Sequence, residues 1–94
     1  MADARIDDTA AKWEREPNVV WRLGPDRVLV RRVGGDGLDL VGSAEMVWVA
    51  LDGPRTRADL VDEISSVSAA AAEPEALNAA LRELLECQLV RKSW

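Results

Sequence analysis

The stretch Leu38-Asp39-Leu40-Val41-Gly42-Ser43-Ala44-Glu45-Met46-Val47-Trp48-Val49-Ala50-Leu51-Asp52-Gly53 decides the fold, because a strand-like run passes with almost no loop into an amphipathic helix. Leu38 to Val41 reads as a short strand. Ser43 fits an N-cap, where a hydroxyl accepts a hydrogen bond from a free amide of the first turn. Ala44, Val47, Trp48 and Leu51 recur at i, i+3, i+4 and i+7 and share one apolar stripe, which makes Trp48 a core side chain. Gly53-Pro54 stops the helix, since proline has no amide to donate and a fixed φ.

Upstream, β-branched runs alternate with turn residues. Val19-Val20-Trp21-Arg22-Leu23 and Arg27-Val28-Leu29-Val30-Arg31-Arg32-Val33 read as strands joined by the hairpin turn Gly24-Pro25-Asp26. Gly34-Gly35-Asp36-Gly37 is a second reversal, leading into the strand at Leu38. It is not followed by a helix N-terminus, so it lacks the free amides and dipole of an anion-binding loop. Residues 1 to 17 carry Asp3, Asp7, Asp8, Glu14 and Glu16 among few apolar side chains and end at Pro17, which predicts a mobile N-terminal arm ahead of a domain spanning 18 to 94.

Downstream, Thr56 with Asp59 forms an Asp variant of the capping box, and Leu60, Val61 and Ile64 continue an apolar stripe through a second helix. The Ser-Ala segment from Ser65 to Ala72 reads as a linker with a frayed helix end. Pro74 suits the first turn of a third helix whose inner stripe is Leu77, Leu81, Leu84, Leu85 and Gln88, and Leu89-Val90 then returns to the core. The expected architecture is α+β, a three-stranded antiparallel sheet followed by three helices in a winged helix-turn-helix-like arrangement.

Composition excludes several functions. The chain has 94 residues, no histidine and a single cysteine, Cys87. Lack of histidine removes the usual neutral-pH base and the commonest metal ligand, and no Cys-x-x-Cys, phosphate loop or nucleophile elbow is present. No catalytic residue, metal or cofactor is therefore expected. A lone cysteine, no signal-like opening and no apolar run near the roughly 20 residues of a membrane span point to the cytoplasm and away from membranes. Twelve basic residues against seventeen acids give a net charge of −5, and the third helix carries only Arg82 against Glu75, Glu83 and Glu86, so a winged-helix DNA-binding regulator is the weaker alternative.

From Leu38 through Pro54-Arg55-Thr56-Arg57-Ala58-Asp59-Leu60-Val61-Asp62-Glu63-Ile64 to Leu89-Val90, the pattern of apolar and turn positions resembles the PqqD-like proteins and the related recognition elements of ribosomally made, post-translationally modified peptides. The resemblance covers roughly residues 19 to 92. It implies a non-catalytic, stand-alone protein that recognises the leader of a precursor peptide and delivers it to a separate modifying enzyme, such as a radical enzyme, a cyclase or a protease. An adaptor that touches only the enzyme is a further alternative. It also implies that the leader adds as a strand beside the third strand and lies against the third helix. That places backbone contacts at Leu38, Asp39, Leu40 and Val41.

On the third helix, Ala76, Ala80, Glu83 and Cys87 stand at i, i+4, i+7 and i+11 and form a stripe of mostly small residues, the expected groove; the flank Asn78, Arg82 and Leu85 is bulkier. Glu83, Asp39 and Asp36 would favour a basic leader residue. Two positions depart from the family: Val41 where many members show Asn, and Gln88 where a glycine commonly closes the third helix.

Overall fold

The computed structural model describes residues 11–93, and within them the chain runs β1 (Lys12–Arg15), β2 (Val19–Leu23), β3 (Val28–Arg32), β4 (Gly37–Leu40), α1 (Ser43–Ala50), β5 (Arg55–Thr56), α2 (Arg57–Ser65), α3 (Pro74–Glu86) and β6 (Val90–Ser93). Two antiparallel three-stranded sheets result. One is the expected meander β2-β3-β4, and the other, of order β5-β1-β6, has the N-terminal strand at its centre. The fold is α+β, and the expected order of three strands then three helices is kept, with β1, β5 and β6 added around it.

The first meander strands follow the strand periodicity. Val28 and Val30 of β3 and Leu40 of β4 are buried, while Arg31 and Asp39 face outward, so one sheet face enters the core. Over that face lie the α1 residues Ala44, Val47 and Trp48 and the α3 residues Leu77, Ala80, Leu81 and Leu84, in one cluster with Leu60, Ile64, Leu89 and Val90. The stripe expected on α1 is buried, and of that expected on α3 Leu77, Leu81 and Leu84 are buried and Leu85 half-buried. Val61 is an exception and remains partly exposed on α2.

The arm expected over residues 1 to 17 requires correction where it is described. Lys12–Arg15 is a strand, and Trp13 is fully buried in the common core; the expectation for residues 1–10 lies outside the described residues. Charge content hid this strand. Only Trp13 of its four residues is buried, and its charged neighbours are held by the other end of the chain, as where the Arg91 guanidinium donates to Glu14 at 2.8 Å.

Both ends of the helices differ instructively from expectation. The N-cap of α1 is Gly42 rather than Ser43, with φ of 64° and no side-chain cap; the tight passage from β4 demands a left-handed residue there, which glycine alone takes without strain. Gln88 is not on the inner stripe of α3 but follows its end with φ of 59°. The Gln88 amide donates to the Leu85 carbonyl at 3.0 Å and the Leu89 amide to the Leu84 carbonyl at 2.9 Å, a Schellman closure made with glutamine where glycine is usual. The chain then reverses and drops Leu89 and Val90 into the core. No helix among the described residues is long and apolar enough to cross a membrane.

Candidate functional site at the β4 edge

β4 pairs with β3 along one side, and its other side has no strand partner among the described residues. Its backbone amides and carbonyls there form a template for a further strand. Alternation sends Leu40 wholly into the core and leaves Leu38, on the same face, 37% exposed; Val41, just past the strand, is 58% exposed. Asp39 lies on the outer face, where Arg27 donates to it at 2.9 Å. Hydrogen bonds donated to Asp26 and then to Asp39 raise the Arg27 pKa, so the Asp39 carboxylate is already engaged.

Beside the β4 edge, the end of α3 approaches the start of the strand. A concavity of about 220 Å³ lies between them, its apolar lining Leu38, Cys87 and Leu89 and its polar rim Arg31, Arg32 and Asp36. The Schellman closure builds its far wall, because the left-handed step at Gln88 turns the chain back immediately after Cys87. Cys87 is half-buried and Leu89 almost fully buried, so the floor is firm.

The eight residues singled out in the sequence are therefore only partly brought together. Leu38 and Cys87 line one groove. Leu40 contributes backbone to the edge, but its side chain belongs to the core, and Val41 is exposed at the far end. On α3, Ala76 is half-buried, Glu83 is exposed, and neither borders the groove. Ala80 is 4% exposed and part of the core cluster. Its small side chain allows close packing of α3 onto the core, so the expected groove along Ala76, Ala80 and Glu83 is displaced toward the helix end.

Arg31 and Arg32, which the sequence shows only as part of a basic cluster with Arg27 able to dock an acidic partner, and Leu89, read there as a core residue, also border the concavity. The signal for Arg31 lies in register: its partner on β4 is Gly37, which has no side chain to screen it. Of the bulkier α3 flank, Asn78 is occupied structurally, accepting a hydrogen bond from Arg57 at the start of α2.

Two of the other hollows have largely apolar linings and weigh as alternatives. One lies on the outer sheet face between Val20, Arg22, Leu29 and Arg31, about 500 Å³ and open. The other, about 460 Å³, lies between α1 and α2 along Met46, Val49, Ile64 and Val67 with Glu45, Asp52 and Glu63 at its rim. Neither holds a nucleophile with a base beside it. Among the described residues no group of three or more acids or cysteines is placed to hold a metal ion.

A solved structure described as TbiB1 in complex with the TbiA(beta) leader peptide matches the fold with a TM-score of 0.67 at 21% sequence identity, covering 83% of this chain and 94% of that one. No family model and no curated protein matches the sequence.

Proposed function

We propose that this domain is a stand-alone leader-recognition protein of the PqqD-like, winged helix-turn-helix type, acting in the biosynthesis of a ribosomally made, modified peptide. It works in the cytoplasm, carries no catalytic group or cofactor, and delivers the leader to a separate modifying enzyme, a radical enzyme, a cyclase or a protease. The leader adds as a strand to β4, with backbone hydrogen bonds over Leu38, Asp39, Leu40 and Val41 setting register. An apolar leader side chain enters the groove at Leu38, Cys87 and Leu89. Holding the leader raises the local concentration of the attached core peptide for the enzyme.

The observation that carries this reading is the β4 edge, without a strand partner among the described residues, opening directly onto a concavity floored by the end of α3. Support comes also from the fold's likeness to a protein solved with a leader peptide. A duplex-binding role for the same helices is disfavoured by electrostatics, because α3 would bring Glu75, Glu83 and Glu86 with only Arg82 against phosphates.

The test is a fluorescence-anisotropy titration with the labelled N-terminal half of the short precursor-like reading frame beside the gene, run against wild type and Cys87→Trp. Cys87 is half-buried at the groove, so a larger side chain there occupies the site, and an unchanged urea midpoint shows that the variant stays folded. Saturable binding lost in the variant is expected. Equal affinity for both proteins would place the leader elsewhere, and salt-sensitive binding to an upstream duplex in place of peptide binding would favour a regulator.

A further inference from the structure

We propose that the peptide seated on β4 carries an acidic side chain, Asp or Glu, captured by Arg31 and Arg32 at the mouth of the groove; this rests on the strand-addition reading above. β3 ends in these two consecutive arginines, so alternation puts Arg31 on the outer face and Arg32 on the face turned toward the helices. Gly37 stands opposite Arg31 on the edge strand. With no side chain at Gly37, nothing on β4 separates Arg31 from the free edge, and Arg31 accordingly borders both the outer hollow and the groove. The two arginines thus border the groove from opposite faces of one sheet.

Their charge is uncommitted. Arg27 is paired with Asp26 at 3.0 Å and Asp39 at 2.9 Å, and Arg91 with Glu14 at 2.8 Å, but neither Arg31 nor Arg32 has an ion pair among the described residues. The Arg32 Nε is buried without a hydrogen-bond partner among them. A buried donor left unmade is costly, and a carboxylate offers the strongest available acceptor for it. Asp36 also borders the groove, one acid against two guanidiniums, which leaves an excess positive charge there on a chain whose net charge is −5.

The net charge of −5 disfavours an acidic peptide at long range, while Arg31 and Arg32 favour its acid at the mouth of the groove. The position of the acid in the peptide follows from strand alternation. With an apolar residue on Leu38, Cys87 and Leu89, an acid one position away meets Arg31 and an acid two positions away meets Arg32. This is opposite to the basic leader residue that Asp36, Asp39 and Glu83 suggest from sequence, because Asp39 is neutralised by Arg27 and Glu83 lies outside the groove.

The test is a selection of random linear peptides displayed as messenger-RNA fusions on the full-length protein, followed by titration of the strongest binder. Enrichment of Asp or Glu one or two positions from an apolar residue is expected. The Arg31→Gln, Arg32→Gln double variant should weaken that peptide by roughly tenfold, while a peptide with the acid changed to its amide binds both proteins equally. Arg31→Gln alone, at an exposed position, keeps the comparison available if the double variant unfolds, and a smaller loss of the same sign is then expected.

Binders without acid enrichment, or equal affinities for wild type and variant, would overturn acid capture; loss of the same binders in Cys87→Trp would then leave strand addition standing. If the library yields no binder at all, acid capture falls together with the leader reading.

Discussion

Gln88 holds the left-handed position that closes α3, with φ of 59°. A non-glycine residue there costs about 1 kcal/mol or more, since its Cβ crowds the following carbonyl. Gln88→Gly is therefore expected to stabilise the domain by about 1 kcal/mol, read as a raised urea midpoint with unchanged slope. Trp13 is the opposite case. It is fully buried at the centre strand of the second sheet, and Trp13→Ala is expected to cost about 3–5 kcal/mol in the same titration.

Behind Trp13 sits Arg15, whose guanidinium donates to the Trp48 carbonyl at 3.0 and 2.7 Å and lies 4.4 Å from the Trp21 ring centre. Burial lowers the Arg15 pKa, with Asp52 opposing. It serves as a cap for the carbonyl end of α1. Neither residue's role was legible in the sequence, because a single tryptophan among charges carries no period; by contrast Trp48 was legible through its stripe with Ala44 and Leu51.

At the scale of elements, what was legible is what is local. The capping box of α2 is present as read, with the Asp59 amide donating to the Thr56 hydroxyl oxygen at 3.1 Å and the Thr56 amide donating to the Asp59 carboxylate at 3.1 Å. Thr56→Ala is expected to cost about 1 kcal/mol, seen as a lower melting temperature. β1, β5 and β6 were not legible, since these short, charge-rich strands exist only through pairing between distant parts of the chain, as in the register Trp13 with Lys92 and Trp13 with Arg55. The groove shifted from the α3 stripe to its end for a similar reason. Periodicity marks which residues share a face, but Ala80 was spent on packing α3 to the core.

Between α1 and β5, the Asp52 carboxyl is held below the usual carboxylate range, first by the hydrogen bond from Arg55 at 2.7 Å. A depressed carboxyl supports the folded state above the pKa of the unfolded chain, about 4, and loses that support as pH falls through the lower folded value. Asp52→Asn should accordingly flatten the acid limb of the stability profile below pH about 4, without changing the profile near neutrality in shape.

At the scale of the whole molecule, the described residues form two small sheets closed over a shared helical layer, with the described ends side by side in the second sheet and the meander's β4 edge without a strand partner among them. Both sheets supply core side chains, Trp13 and Val90 from one and Val28, Val30 and Leu40 from the other, and the proposed strand addition concerns only the β4 edge. Removing residues 1–16 takes away the central strand of the second sheet, so the shortened chain is expected to lose cooperative unfolding altogether.

The meander has a second edge at β2, where Val20 and Leu23 are exposed, and the choice between edges is the central claim. Residue-resolved amide hydrogen exchange, on the protein alone and saturated with its leader peptide, decides it most directly. Slowed exchange confined to Gly37–Val41 and the turn after α3 is the expected result; slowing along Val19–Leu23 with β4 unchanged would contradict it.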